Sequence, residues 1–173
     1  MNVILVDEKD EPVGMMEKLE AHRKALLHRA YSVFIFNSKG ELLLQKRATG
    51  KYHSGGLWSN TCCSHPRPGE ITLEAAQVRL QEEMGISTTL FKAFDFTYRA
   101  SFDNGLSEYE FDHVFVGNYD GPVHQDKDEV SDYCYKPMND IRESLQSHPG
   151  KYSIWFTIAF PIMDDYLSRN NNR

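Results

Sequence analysis

Thr72-Leu73-Glu74-Ala75-Ala76-Gln77-Val78-Arg79-Leu80-Gln81-Glu82-Glu83-Met84-Gly85 places apolar side chains at Leu73, Ala76, Leu80 and Met84, which is a helical period. Gly85 supplies the stop, because a residue without Cβ enters the left-handed conformation that closes a helix, and Thr72 is expected as the N-cap. Arg79 and Glu83 fall one turn apart with Glu82 beside them, so a cation and an anion share a face. Such a pair is either a surface salt bridge, worth little, or part of a pyrophosphate site in which Glu83 holds a divalent ion and Arg79 donates to phosphate oxygens. The spacing leaves both readings open.

Just upstream runs Asn60-Thr61-Cys62-Cys63-Ser64-His65-Pro66. In an extended backbone side chains alternate, so Cys63 and His65 share a face while Cys62 points the other way. A reactive thiol beside a metal ligand is one reading of this stretch; a buried strand whose small sulfur side chains pack is the other.

Further out, Val3 to Val6 and Pro12 to Met16 read as short strands around the turn at Lys9-Asp10, and Glu17 to Leu27 as a helix that places His22 near the mouth of the next element. Tyr31 to Phe36, apolar on both faces, and Leu42 to Leu44 flank Asn37-Ser38-Lys39-Gly40, a hairpin signature at the buried centre of a sheet. Arg47 to Gly56 reads as a loop, and Leu57 to Cys62 as extended again. Ala93 to Phe102 and Ser107 to Tyr119 are joined through Asp103-Asn104-Gly105 and should pair antiparallel. Asn139 to Gln146 and Tyr152 to Leu167 read as helices, with Pro161 kinking the second or marking its effective start. Mixed strands with helices on both sides describe an α+β chain built as an α/β/α sandwich on a mixed β-sheet.

The 173 residues, 40% hydrophobic, suffice for one cored domain spanning 1–173, with 169–173 as a frayed polar tail. Three cysteines without a secretory segment argue for a reducing, cytoplasmic setting and against a disulfide framework. No apolar run approaches a membrane span, and a net charge of −6 disfavours nucleic acid as a partner, although clustered Lys and Arg can still hold an anionic small molecule. Composition does not fix the oligomeric state; a monomer fits it.

Glu108-Tyr109-Glu110-Phe111-Asp112 alternates acid with aromatic, so three carboxylates lie on one face of an extended segment, either as its wet side or as ligands. His22, His28 and His65 are candidate ligands elsewhere, and a His/carboxylate mixture suits Mg, Mn or Zn without selecting among them. His53, His113, His124 and His148 attract no specific role.

Glu70 followed by Glu82-Glu83-Met84-Gly85-Ile86 resembles the end of the Nudix box, a helix and loop that bind metal on diphosphate substrates. Ser64 stands at the box's opening Gly position and Val78-Arg79 at its internal Arg-Glu pair, a departure from the hydrolase pattern. That departure, with Asn60 to Pro66 and Glu108-Tyr109-Glu110, looks like the type I isopentenyl-diphosphate isomerase family over about Val3 to Trp155. The resemblance implies the Nudix sandwich and an enzyme that interconverts isopentenyl and dimethylallyl diphosphate by protonation and deprotonation through a tertiary carbocation. It implies a first metal site of His22, His28, His65, Glu108 and Glu110 holding Mn2+, Zn2+ or Mg2+, and Glu83 as ligand of a Mg2+ carried in with the diphosphate. Cys63 matches the catalytic thiol and Tyr98, in Phe96-Thr97-Tyr98-Arg99, the phenol beside the catalytic carboxylate Glu110. Trp155 matches the indole over the hydrocarbon. Lys18, Arg47, Lys51 and Arg79 match the cationic positions around the diphosphate, with Ser64 next to them. Two other readings compete: a Nudix-type diphosphate hydrolase, and a non-catalytic metal-dependent module that binds isoprenoid diphosphates.

Overall fold

The computed structural model describes residues 1–171. Nine strands form one mixed sheet: β1 (Asn2–Val6), β2 (Pro12–Glu17), β3 (His28–Phe36), β4 (Leu42–Arg47), β5 (Trp58–Ser59), β6 (Cys62–Ser64), β7 (Phe91–Ser101), β8 (Ser107–Asn118) and β9 (Val130–Lys136). Four α-helices accompany them: α1 (Lys18–Lys24), α2 (Thr72–Met84), α3 (Met138–Ser147) and α4 (Ile154–Asn170).

The central strand β3 is apolar on both faces because both faces are covered. Tyr31, Val33 and Ile35 pack with Leu43, Cys62, Phe115 and the α2 residues Ala76, Leu80 and Met84. Phe34 and Phe36 pack the other way, with Leu42, Leu44, Val114 and the α4 residues Trp155, Phe156 and Phe160. The strand period of two thus sends alternate side chains into two cores, one under each helix, and the expected α/β/α sandwich is the result. One edge of β3 runs parallel to β8 along its whole length, from His28↔Glu110 to Phe36↔Asn118. Its other edge meets β1 at His28, β6 at Tyr31 to Val33 and β4 at Phe36.

Where β3 and β4 part, side chains replace the ladder. Thr61 Oγ1 accepts from Ile35 N at 3.0 Å and donates to Leu43 O at 2.7 Å, and Asn60 Nδ2 donates to Val33 O at 3.2 Å and Cys62 O at 2.9 Å. Buried backbone groups require partners, so Asn60-Thr61 is a stitched break between β5 and β6, and the extended run expected over 57–62 is two short strands ending at Ser64.

Several boundaries differ from expectation for local reasons. The first helix stops at Lys24 because Ala25 adopts a left-handed conformation (φ 50°), and Glu17 is its N-cap, accepting from Glu20 N at 3.1 Å. Thr72 is already inside α2; the N-cap is Ile71, and Glu70 instead accepts from Arg67 N in the turn before it. Arg47 closes β4 and so is not a loop residue. Pro161 lies inside α4, whose start is at Ile154, and α4 runs on to Asn170, so Arg169 and Asn170 of the expected tail lie within the helix; 172–173 lie outside the described residues. Gly85 caps α2 at φ 67°, and a Cβ there would meet His124 O at 2.7 Å, so the glycine also admits the loop over residues 121–129. That loop is latched to the open end of α2, with His124 N donating to Met84 O and Asp126 N to Glu83 O.

Candidate active site

The cleft lies where β3, β6 and β8 meet the start of α4. Even-numbered β3 residues, even-numbered β8 residues and Cys63 all turn to the α4 face, so Glu110 and Cys63 reach it from strands on opposite edges of β3, beside His28 and Ser32 respectively. Lys18, Arg47, Lys51, Cys63, Ser64, His65, Arg79, Glu83, Tyr98, Glu108, Glu110 and Trp155 line a single cleft; His22 and His28 stand behind it, fully buried. The expected catalytic, diphosphate-binding and metal-ligating residues thus lie at or against this cleft, whereas Cys62 lies in the opposite core.

Ligand atoms of His22, His28, His65 and Glu110 lie within 4.8 Å of one another. His22 Nδ1 donates to Lys18 O at 2.6 Å and His28 Nδ1 to Leu26 O at 2.8 Å, which leaves the Nε2 lone pair of each neutral ring facing inward. His28 Nε2 stands 3.2 Å from His65 Nε2, and His22 Nε2 is buried without a partner. Burial lowers the pKa of His65 to about 3 and holds that of His22 below its ordinary value, so these two imidazoles stay neutral. The inward lone pairs of His22 and His28, the first of them buried without a partner, beside the Glu110 carboxylate are what a divalent cation satisfies, so the donor set fits a metal.

Glu108 does not join those four. It falls with His22 and with His53, whose Nε2 is 3.4 Å from Glu108 Oε1. His53, which has no role in the sequence reading, stacks its ring on Phe102 at 4.7 Å and stands edge-on to Trp155 at 5.7 Å. Nothing in the Gly-rich segment around it marks that placement. Asp112, third of the alternating acids, shares their face but stays away from the ligand group, accepting from Ser32 Oγ at 2.7 Å.

The phenol of Tyr98 lies 2.8 Å from Glu108 Oε2 and 2.7 Å from Glu110 Oε2. A hydroxyl has one proton to give, so one carboxyl must be protonated and donate to the phenol oxygen. Burial and the neighbouring Glu110 charge push Glu108 well above the usual carboxylate range; Glu110, despite burial, is held well below it by His65 and His28. The order is therefore protonated Glu108 to Tyr98 to ionised Glu110.

Burial raises the Cys63 thiol well above its ordinary value, with Arg47 pulling the other way, so the sulfur keeps its proton in the empty cleft. Cys62 is fully buried in the opposite core. The Arg47 guanidinium lies 5.0 Å from the Trp155 ring centre, a cation already on the indole. Across the cleft, Glu83 accepts from Arg79 Nε at 2.8 Å and from Gln45 Nε2 at 2.9 Å. The Arg79–Glu83 pair is thus both an ion pair and part of the cleft wall, and Gln45 is a positioning residue that the strand pattern did not reveal.

The NUDIX domain family model matches residues 26–156. An isopentenyl-diphosphate Delta-isomerase of Pectobacterium atrosepticum is 53% identical over 164 residues, 95% of this chain and 92% of the relative. A second, isopentenyl-diphosphate Delta-isomerase 2 of Aromatoleum aromaticum, is 53% identical over 88% of this chain and 81% of the relative. Among solved structures, a Deinococcus radiodurans protein superposes with a TM-score of 0.72 at 19% identity, covering 86% of this chain and 90% of its own. The MutT protein of Methanosarcina mazei reaches 0.67 at 21% identity over 85% of this chain and 96% of its own. These two show the fold alone.

Proposed function

The chain belongs to the isopentenyl-diphosphate Delta-isomerase family of NUDIX-domain proteins, and from that premise we propose how its own residues interconvert isopentenyl and dimethylallyl diphosphate. Shifting the double bond requires a proton added at one carbon and another removed from a second, across an alkene that is a very weak base. The observation that carries the reading is one cleft in which a thiol, Cys63, and a hydrogen-bonded acid chain, Glu108–Tyr98–Glu110, arrive from opposite edges of the same strand.

The proton held by Glu108 passes through Tyr98 to Glu110, which delivers it to the terminal carbon, and Cys63, having given up its thiol proton to solvent as the substrate binds, accepts as the thiolate a proton from the CH2 on the other side of the tertiary cation; in the reverse direction the thiol is the acid. Arg47, which opposes the upward push of burial on Cys63, stabilises its thiolate. Trp155 and the walls around it exclude water from the tertiary cation and offer it a π face, worth about 2 kcal/mol when dry. Lys18, Arg47, Lys51, Ser64 and Arg79 hold the diphosphate, and Glu83 is ligand to the Mg2+ that accompanies it.

His22, His28, His65 and Glu110 would hold the first metal, with Glu108, tied to Glu110 through Tyr98, as the further carboxylate. Three imidazoles and carboxylate oxygen favour Zn2+ or Mn2+ over Mg2+ in that place. A bound cation there would polarise its ligands and fix the Glu110 carboxyl. Among the described residues no helix is long and apolar enough to cross a membrane, and the three free cysteines suit a reducing cytoplasm.

Phosphorus and proton NMR of isopentenyl diphosphate with the metal-loaded protein together test the reading. The diphosphate ester should persist while the alkene signals interconvert; release of phosphate or pyrophosphate would identify a hydrolase instead.

A further inference from the structure

The carboxylate of Glu129 occupies the place where an anion would be expected. Its Oε2 takes Arg79 Nη2 at 3.0 Å and also pairs with the Lys51 ammonium. In the proposed function these two cations hold the diphosphate, and the role of Glu129 rests on that reading. The Glu129 side chain is about a quarter exposed, as are its two partners, so it sits at the mouth of the cleft. Burial raises the Glu129 carboxyl, but Lys51 and Arg79 outweigh that and keep it below its ordinary value, so it is a full negative charge at neutral pH.

The backbone beneath Glu129 is fixed. Its amide donates to Asp126 O at 3.1 Å, and its carbonyl accepts from Ala48 N at 3.0 Å. The next residue, Val130, is fully buried and pairs with Arg47. The loop that delivers it is latched to the end of α2 through Glu83 O and Met84 O, so its position is set relative to Arg79 on the same helix. Only the side chain is free to leave.

We propose that Glu129 is an internal competitor for the anion subsite, holding Lys51 and Arg79 together while the cleft is empty and yielding only to a ligand with several phosphate oxygens. A carboxylate oxygen shared by an ammonium and a guanidinium makes the same charge-assisted bonds as one phosphoryl oxygen. A single phosphate therefore exchanges like for like and gains little, whereas a diphosphate also reaches the remaining cations. Glu129 in this way weakens every anion at the subsite, so that a single phosphate is kept out while a diphosphate, held also by the remaining cations, still binds.

The test is calorimetric titration of the full chain and of Glu129→Gln and Glu129→Ala with inorganic phosphate, metal-free pyrophosphate and Mg-pyrophosphate, with melting curves confirming that each variant is folded. Removing the competing charge should tighten inorganic phosphate and pyrophosphate alike, by roughly tenfold in both variants. The gain should diminish as salt is raised. Unchanged or weaker phosphate binding overturns the inference. Loss confined to Mg-pyrophosphate would make Glu129 a metal ligand, and weaker binding of all three would make it a scaffold for Lys51 and Arg79; either result overturns it. Binding is read without turnover, so a failure of the isomerase reading would appear separately, as substrate left unconverted by the parent protein.

Discussion

Cys63 sits directly across from Ser32 in the antiparallel β3–β6 pair, so the one cysteine that lines the cleft among the described residues is fixed by the register of the sheet's central strand. Its neighbour Cys62 is fixed just as firmly on the opposite side, against α2. Cys63→Ala should lower isomerisation by roughly a thousandfold, the range of a lost acid–base group, while Cys62→Ala should keep most activity and lose about 1 kcal/mol of stability. Initial rates and melting curves on both variants decide the matter; equal loss of activity in two folded variants would contradict it.

Glu110 and Glu83 serve different ions, and their substitutions should fail differently. Glu110→Gln removes a ligand and the acceptor of the Tyr98 proton together, so activity should stay lost at every Mg2+ concentration and bound first-site metal should fall. Glu83→Gln leaves that group intact and should regain part of its activity as Mg2+ is raised. Full rescue of both would erase the distinction between the two sites.

His53 gives a pH signature in the metal-free protein. Burial first, and Arg47 next, lower its pKa to about 3, whereas in the unfolded chain it titrates near 6.5. Between those values the unfolded chain takes up a proton that the fold refuses, so the stability His53 contributes is complete above about pH 6.5 and is lost as pH falls toward 3. Glu108 and Asp112, raised by burial, act in the opposite sense, so the comparison must be made against His53→Phe, which keeps the stacking on Phe102. The melting temperature of the parent relative to this variant should fall between pH 7.5 and 5; a constant difference would show that His53 titrates normally.

Trp155→Phe should retain partial turnover and Trp155→Leu should lose roughly thirtyfold, the rate equivalent of a cation–π term of about 2 kcal/mol. An analogue carrying an ammonium at the carbocation position should bind the parent more tightly than its neutral counterpart, and Trp155→Leu should shrink that advantage. If the preference survives unchanged, Trp155 is a packing residue, and Arg47 above its ring is its only cation.

The sequence made legible whatever depends on period. Alternation separated Cys63 from Cys62 and aligned Glu108, Glu110 and Asp112, and the helical spacing of Thr72 to Met84 put Arg79 and Glu83 on one face. The double-sided apolar run of Tyr31 to Phe36 already implied two covered faces. What stayed hidden depends on tertiary placement. His53 lies in a Gly-rich segment without period, Glu129 in a stretch that carries no motif, and Gln45 follows the apolar run Leu42 to Leu44 with nothing in sequence to tie it to Glu83. Thr72 looked like a cap by residue type, but the turn before α2 is closed by Glu70, which left Ile71 at the cap position. His22, on a helix that ends early at Ala25, was a candidate ligand by residue type and by the resemblance, and its Nε2 is buried without a partner.

The most direct test of the central claim is proton NMR of isopentenyl diphosphate in deuterated buffer with the metal-loaded protein. Deuterium is expected in the methyl group formed from the terminal carbon of the alkene, appearing together with dimethylallyl diphosphate and vanishing in Cys63→Ala and Glu110→Gln. Substrate that binds yet remains unlabelled and unconverted, or that loses its diphosphate without acquiring deuterium, would contradict the claim that this cleft exchanges protons with an alkene.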